Sequence, residues 1–280
     1  MKINEILELD ECQCIEPGFA DLTVDSYSEL LLEVEADRGL LLVDENEMPL
    51  AVGLHSPEGW LVGSFVYRPF RPELIGVLED LDTEICQSAG EDWTLALREY
   101  YSTRLAGDLP PPPEDNRPGR DAMIRDLLNG VWGERISGMH CIDCCCGSGV
   151  ASGVLRDMGA VPLSYDNDPE LLSLGLSAGR LLPEETMHID ATMAARYLPN
   201  AEFGIGLMLG DIASFTADMW QNIFRNLLAL TDETIISVAT EPEIRLVESW
   251  CRAEGRDFRV FENECDPIYD RWVCVAGKSQ

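Results

Sequence analysis

Cys141-Ile-Asp-Cys-Cys-Cys-Gly-Ser-Gly149 is the stretch on which the fold turns. Met139–Cys144 is a short apolar run with the composition of a buried strand, Gly147-Ser-Gly149 is turn chemistry, and the residues to about Met158 have helical spacing. A strand that breaks on glycine and opens directly into a helix aims backbone N–H groups and a positive helix end at a bound anion. Gly147 and Gly149 remove the Cβ atoms that would hold a ligand away from the backbone. A glycine turn alone says little. Here it is the first βα turn of a series, and open α/β sheets place ligands outside the carboxyl ends of their strands.

Downstream the alternation continues. Val161–Tyr165 reads as a strand and Pro169–Leu182 as a helix, then His188–Asp190 as a short strand and Ala191–Tyr197 as a brief helix. Phe203–Leu209 and Ala217–Leu230, then Thr234–Val238 and Pro242–Glu254, complete five β/α units. Phe258–Glu262 and Trp272–Ala276 are strands around Asp266-Pro-Ile-Tyr-Asp270, with no room for a crossover helix. The pattern predicts an α/β fold, a doubly wound and mostly parallel seven-strand sheet with an antiparallel terminal hairpin.

Upstream, Leu109-Pro-Pro-Pro-Pro-Glu-Asp-Asn-Arg-Pro-Gly119 is the clearest punctuation. Four successive prolines force an extended backbone that lacks donors, a semi-rigid spacer. The chain is therefore expected to comprise an N-terminal α+β domain (1–108), a Pro-rich linker (109–118) and an α/β domain (119–280). In the first, Leu40–Val43, Leu50–Leu54 and Trp60–Tyr67 read as an antiparallel meander. Leu74, Val77, Leu78, Leu81 and Ile85 then share one helical face, and Trp93, Leu97, Tyr100, Tyr101 and Leu105 predict a second helix. No motif in this part names a chemistry.

Charge excludes some functions. Fifty-one acidic residues against 20 basic ones leave a formal charge of −31. Such a surface repels phosphate, and the densest cationic cluster, Arg252, Arg256 and Arg259, is interleaved with Glu254 and Asp257. Nucleic acid and anionic membranes are therefore disfavoured as partners, whereas a basic protein partner for the acidic N-terminal domain is compatible with the charge. The N-terminus is too acidic for a secretory signal, no apolar run reaches membrane-spanning length, and ten cysteines in so long a chain read as reduced thiols. A cytoplasmic protein is expected. Strand neighbours face opposite sides, so Cys141 and Cys144 would not converge on one metal ion, and no metal is expected.

The second strand ends in Ser164-Tyr-Asp-Asn-Asp-Pro169. A carboxylate at Asp166 can accept both hydroxyls of a ribose. Asp168 before Pro169 has the signature of a helix N-cap. Together, Asp143-x-Cys-Cys-Gly-Ser-Gly149, Tyr165-Asp-Asn-Asp-Pro-Glu-Leu-Leu172 and Ile189-Asp-Ala191 resemble the class I S-adenosylmethionine-dependent methyltransferases, over residues 119 to 280. That resemblance implies S-adenosylmethionine as cofactor and the seven-strand sheet with its terminal hairpin. It implies that Asp143, Cys145, Gly147, Ser148 and Gly149 surround the methionine and ribose portion. By the same resemblance Asp166 holds the ribose hydroxyls, Asn167 lies beside the adenine, Asp190 and the Ala191 backbone read the adenine amino group, and Leu209, Gly210 and Asp211 flank the transferring methyl. Cys145 departs from the glycine that this loop usually has there.

Blander roles stand beside these. Asp143 can cap the turn, Asp190 can cap a helix, and the cysteine triplet can be packing. Asp211 can be a base or a plain loop acid, with Glu241 and Tyr269 as further candidates; no catalytic residue is singled out. A nicotinamide site wants Gly-x-Gly-x-x-Gly, and Gly147-Ser-Gly-Val-Ala-Ser-Gly153 places its third glycine one residue late. The fourth strand's exit, Met208-Leu-Gly-Asp-Ile212, lacks the Asn/Asp-Pro-Pro-aromatic run that the resemblance associates with methylation of nucleic-acid amines. The expected activity is in-line methyl transfer to a small molecule or a protein side chain, with the N-terminal domain as substrate lid or interaction module. The alternatives are a non-catalytic S-adenosylmethionine-binding regulator or scaffold, and a nucleotide-dependent oxidoreductase.

Overall fold

The computed structural model describes residues 2–114 and 116–278. Asp115 of the expected linker lies outside the described residues, as do Met1, Ser279 and Gln280 at the ends of the two expected domains. Two compact units divide the chain, Met1–Arg104 and Leu105–Gln280. Among the described residues no helix is long and apolar enough to cross a membrane.

The first unit is built from α1 (Ile3–Ile6), β1 (Gln13–Cys14), α2 (Ser26–Leu32), β2 (Arg38–Val43), β3 (Pro49–Ser56), β4 (Gly59–Ser64), α3 (Glu73–Glu79) and β5 (Asp82–Gln87). Helix α4 (Gly90–Asp108) follows and buries Trp93, Leu97 and Tyr101. The sheet order is β1-β4-β3-β2-β5. The expected antiparallel meander forms its centre, β2-β3-β4, but both edges are parallel: β1 along β4 and β5 along β2.

β5 corrects the helix expected to continue to Ile85. Helix α3 stops at Glu79, where the Thr83 hydroxyl donates to the Leu78 carbonyl at 2.6 Å. Thr83 and Ile85 suit an extended backbone, and the Arg38 guanidinium reaches Glu84 across the strand pair at 2.8 Å. Leu74 and Leu78 enter the core with Leu31, Val52, Leu54 and Phe65, whereas Ile85 is exposed on the edge strand.

Helix α5 (Arg120–Val131) opens the α/β layer of the second unit. Then come β6 (His140–Cys144), α6 (Val150–Asp157), β7 (Val161–Asp166), α7 (Pro169–Ser177), β8 (Thr186–His188), β9 (Ala201–Gly206), α8 (Ala217–Leu230), β10 (Thr231–Val238), α9 (Glu241–Ala253), β11 (Arg256–Glu262) and β12 (Trp272–Lys278). The sheet order is β11-β12-β10-β9-β6-β7-β8. β12 pairs antiparallel with both β10 and β11, and the remaining pairs are parallel. Winding reverses between β6 and β9, which opens a crevice at the carboxyl end of β6. Ile124, Leu128, Trp132, Leu155, Phe203, Ile205 and Ile235 pack into one core cluster here.

Several boundaries differ from the sequence reading. The fourth strand is Ala201–Gly206 and not Phe203–Leu209. The third strand is Thr186–His188 and not His188–Asp190. Helix α7 ends at Ser177, and the chain turns back through Gly179 at φ +70°, with Arg180 and Leu181 N–H groups donating to the Gly175 carbonyl at 3.0 and 3.1 Å. The turn delivers Leu181 beneath the glycine loop. A Cβ at Gly149 would lie 2.4 Å from Leu181, and one at Gly175 2.6 Å from it.

Candidate functional site

Between β6 and α6 the backbone enters the left-handed region three times, at Cys145 (φ +55°), Gly147 (φ +53°) and Gly149 (φ +73°). Two of these positions are glycines, the residue that adopts this conformation without cost, but Cys145 is not. The Cys146 N–H donates to the Tyr165 carbonyl at 3.0 Å, tying the loop to β7. From the other side the Arg180 Nε donates to the Ser148 carbonyl at 2.8 Å, while its Nη1 reaches Glu114 at 2.6 Å.

Asp166 closes β7. Its Oδ2 accepts the Gly147 N–H at 2.8 Å and its Oδ1 the Asp168 N–H at 2.9 Å. Each oxygen keeps capacity for a second donor. Asp168 is the α7 N-cap, accepting from the Glu170 and Leu171 N–H groups at 3.0 and 3.1 Å, with Pro169 in the first turn.

Asp143 lies on β6 with 2% of its surface exposed. Ser152 donates its hydroxyl to Oδ2 at 2.6 Å, and the Ser152 and Ser164 hydroxyls are 2.8 Å apart. Burial pushes the Asp143 carboxyl up to about 7; the Ser152 hydrogen bond pulls it down and the Asp166 charge adds to the rise. Among the described residues no Lys or Arg pairs with it.

Both carboxylates line a cavity of about 490 Å³. Cys145, Cys146, Gly147 and Ser148 line it from the loop, and Asn167, Asp168 and Leu171 from the β7 exit. Further walls come from the β9 exit (Leu207, Met208, Leu209, Gly210), from Trp220, from Asn116, Arg117, Arg120 and Ile124, and from Tyr269.

Arg120 is buried and donates from Nη1 to Asp266 at 3.0 Å and Asp270 at 2.8 Å. Its guanidinium lies 5.1 Å from the Tyr269 ring centroid. Arg117 shares Asp266 at 3.5 Å. Asp266 also accepts the N–H groups of Ile268 and Tyr269 at 3.2 and 3.1 Å, which shapes the loop between β11 and β12. The Ser237 hydroxyl donates to Asp270 and accepts the Met208 N–H at 2.8 Å, so the same network holds the β9 exit, where Met208 has φ +51°.

Of the positions read from sequence, Asp143, Cys145, Gly147, Ser148, Asp166, Asn167, Leu209 and Gly210 line one cavity. Gly149 lies behind the loop, against Leu181. Asp190 is exposed and caps the following turn, its Oδ1 accepting the Thr192 N–H and hydroxyl at 2.8 Å each. Ala191 is buried and Asp211 exposed, and neither lines the cavity. Glu241 is exposed and pairs with Arg245 on α9, whereas Tyr269 does line the cavity.

Arg117, Arg120 and Trp220 are lining residues that the sequence reading missed. Two aspartates bracketing Pro-Ile-Tyr in a short hairpin loop were the available signal, since buried acids in a loop need a cation to hold. None of the three histidines lines the cavity; His188 Nε2 is 3.2 Å from the Asn167 carbonyl oxygen.

The seven-strand order with β12 reversed, and the glycine loop at the winding reversal, decide the architecture. This is the class I methyltransferase fold. Solved structures of that fold match this chain at low sequence identity. Magnesium protoporphyrin IX methyltransferase from Synechocystis PCC 6803, with S-adenosylmethionine bound, is 16% identical with a TM-score of 0.46, covering 66% of this chain and 97% of its own. Precorrin-6y C5,15-methyltransferase from Geobacter metallireducens is 11% identical with a TM-score of 0.44, covering 62% and 95%. A Pyrococcus horikoshii protein assigned as an RNA methyltransferase is 14% identical with a TM-score of 0.45, covering 64% and 97%. Likeness at this level speaks to the fold alone. No protein-family model matches the sequence, and no curated protein matches it.

Proposed function

We propose that this chain is an S-adenosylmethionine-dependent methyltransferase acting on a small molecule or a protein side chain. One observation carries the reading: two buried carboxylates, Asp143 and Asp166, lie in the carboxyl-terminal parts of adjacent strands and line one cavity beside the left-handed glycine loop. Their chemistry fits the cofactor, which brings a sulfonium, an ammonium and a ribose diol. When bound, it supplies an electrophilic methyl group on sulfur.

Asp143 supplies the negative charge that faces the methionine portion, and Ser152 holds that carboxylate in place. Asp166, already fixed through Gly147 and Asp168, uses its remaining acceptor capacity for the ribose hydroxyls. Cys145, Gly147 and Ser148 form the close wall that lets the ligand approach the backbone, and Gly149 keeps that wall seated over Leu181. Asn167 lies beside the adenine, and Leu209 and Gly210 flank the methyl. Asp190 and the Ala191 backbone read the adenine edge, a role for which Asp190 has its second oxygen, since Oδ1 serves the cap. Asp211 is left as a loop acid near the acceptor. In-line displacement at a methyl group is governed by positioning, and these residues supply it.

Titration calorimetry of the full chain with S-adenosylmethionine, S-adenosylhomocysteine and NAD tests the reading. Binding of the first two without NAD supports it. Binding of NAD alone turns it towards an oxidoreductase, and binding of none removes it. Radiolabelled methyl transfer in a lysate of the source organism then separates an enzyme from a binding module.

A further inference from the structure

The walls left over after the two carboxylates and the glycine loop have a different character. Ile124, Leu207, Met208, Trp220 and Tyr269 are apolar or aromatic, and they line the same cavity. Arg117 and Arg120 also reach it, but their charges are matched within the wall by Asp266 and Asp270, which are 0% and 1% exposed. An anionic acceptor would have to draw Arg120 out of its buried pairs with Asp266 and Asp270 to be recognised there, and breaking such pairs is costly. Arg120 instead lies against Tyr269, fixing that ring as a wall. Trp220 packs close to Gly210, where an added Cβ would meet its ring at 3.2 Å.

The apolar character continues beyond the cavity along the same two segments. Between Gly210 and Trp220 the chain carries Phe215, 87% exposed, and Met219, 47% exposed, and Ile268 beside Tyr269 is 55% exposed. Large exposed apolar side chains next to a concave site mark binding, and flexible methionines suit a surface that moulds to its ligand.

We infer that the methyl acceptor is a neutral, apolar aromatic small molecule, held by Trp220 and Tyr269 and continued outward onto Phe215 and Met219. This rests on the methyltransferase reading and narrows it: a phosphate ester or a carboxylate finds no free cation among the described residues of this wall. Charge matching decides against an anion, because the two cations of this wall, Arg117 and Arg120, are already engaged by Asp266 and Asp270.

The test uses the full chain saturated with S-adenosylhomocysteine, and three probes on one ring system: 2-naphthol, 2-naphthoate and 2-naphthylmethylamine. Saturation-transfer NMR should show 2-naphthol binding at least tenfold more tightly than either charged probe. Trp220→Ala should weaken 2-naphthol roughly three- to tenfold. Phe215→Ser, at a side chain with no packing role, should weaken it about twofold. S-adenosylhomocysteine affinity of each variant reports that the cavity is still formed. 2-Naphthoate or 2-naphthylmethylamine binding as tightly as 2-naphthol overturns the inference, as does 2-naphthol affinity unchanged in both variants. If S-adenosylhomocysteine binds and 2-naphthol does not, the acceptor assignment falls while the methyltransferase reading stands. If S-adenosylhomocysteine does not bind, the reading falls and the inference with it.

Discussion

Glu16 in the first unit and Asp143 in the second are both buried carboxylates, and the two are handled in opposite ways. In the first unit Glu16 is fully buried and forms an ion pair with Arg68, which is itself nearly inaccessible. Arg68 is held further by the Ser28 hydroxyl at 2.9 Å, and Glu16 accepts the Ser64 N–H at 3.2 Å. Burial raises the Glu16 carboxyl and the Arg68 charge opposes the rise. In the second unit Asp143 is as deeply placed but has a hydroxyl partner and no described cation, and it borders a cavity. A buried charge completed inside the protein is scaffold. A buried charge completed only by hydrogen bonds, at the wall of a cavity, is a place for a cationic ligand.

Substitutions at the two sites should therefore behave differently. Arg68→Met leaves Glu16 buried without its partner and should lower stability by about 3–5 kcal/mol in urea unfolding. A loss below about 1 kcal/mol would mean that the pair is not holding the first unit together. Asp166→Ala should cost roughly 1–3 kcal/mol of S-adenosylmethionine binding, read by calorimetry, because a charge-assisted acceptor of the ribose is lost. Unchanged affinity would remove Asp166 from the site.

Asp143→Asn should act on stability with the opposite sign to Arg68→Met. The folded state raises the Asp143 carboxyl to about 7, so the native protein holds this proton more tightly than the unfolded chain does. Its contribution is full at acid pH and is lost as pH rises through about 7. Thermal unfolding should thus show the Asn variant gaining on the wild type between about pH 4 and about pH 7, with no further gain above. A gap that does not change with pH would deny the burial argument. The smallest effects belong to the loop: Cys145→Gly relieves a left-handed non-glycine residue and should change stability by no more than about 1 kcal/mol. Cys145→Val adds a β-branched side chain to the same conformation and should cost about 2 kcal/mol. Equal stability of the two variants would mean that the loop does not hold this conformation.

What could be read from the sequence was what is local in it. The loop from Asp143 to Gly149, the Asp168 cap of the following helix, and the terminal hairpin all depend on residues a few positions apart, where spacing and turn chemistry are direct signals. The Arg120 network was invisible because its ion pairs join residues 146 and 150 positions apart. β5 was misread for a different reason: Leu74 to Ile85 has helical spacing, and an exposed edge strand leaves no alternating burial pattern to contradict it. Asp190 illustrates an ambiguity that sequence leaves open, since the residue that can read an adenine is also a good cap, and its Oδ1 is used as one. The acidic excess is heaviest in residues 1–104, with 23 acids against 6 bases, yet the cavity lined by Asp143 and Asp166 lies in the other unit. Charge density and chemical site are separate features here.

On the proposed reading, Asp143 is the acid that a cationic cofactor completes. Measuring S-adenosylmethionine affinity from about pH 5.5 to about pH 7.5, for the wild type and for Asp143→Asn, tests it most directly. Wild-type affinity should rise across this range as the carboxylate ionises and level off above about 7, while the variant binds more weakly with a flat profile. Parallel profiles for the two proteins would contradict the account.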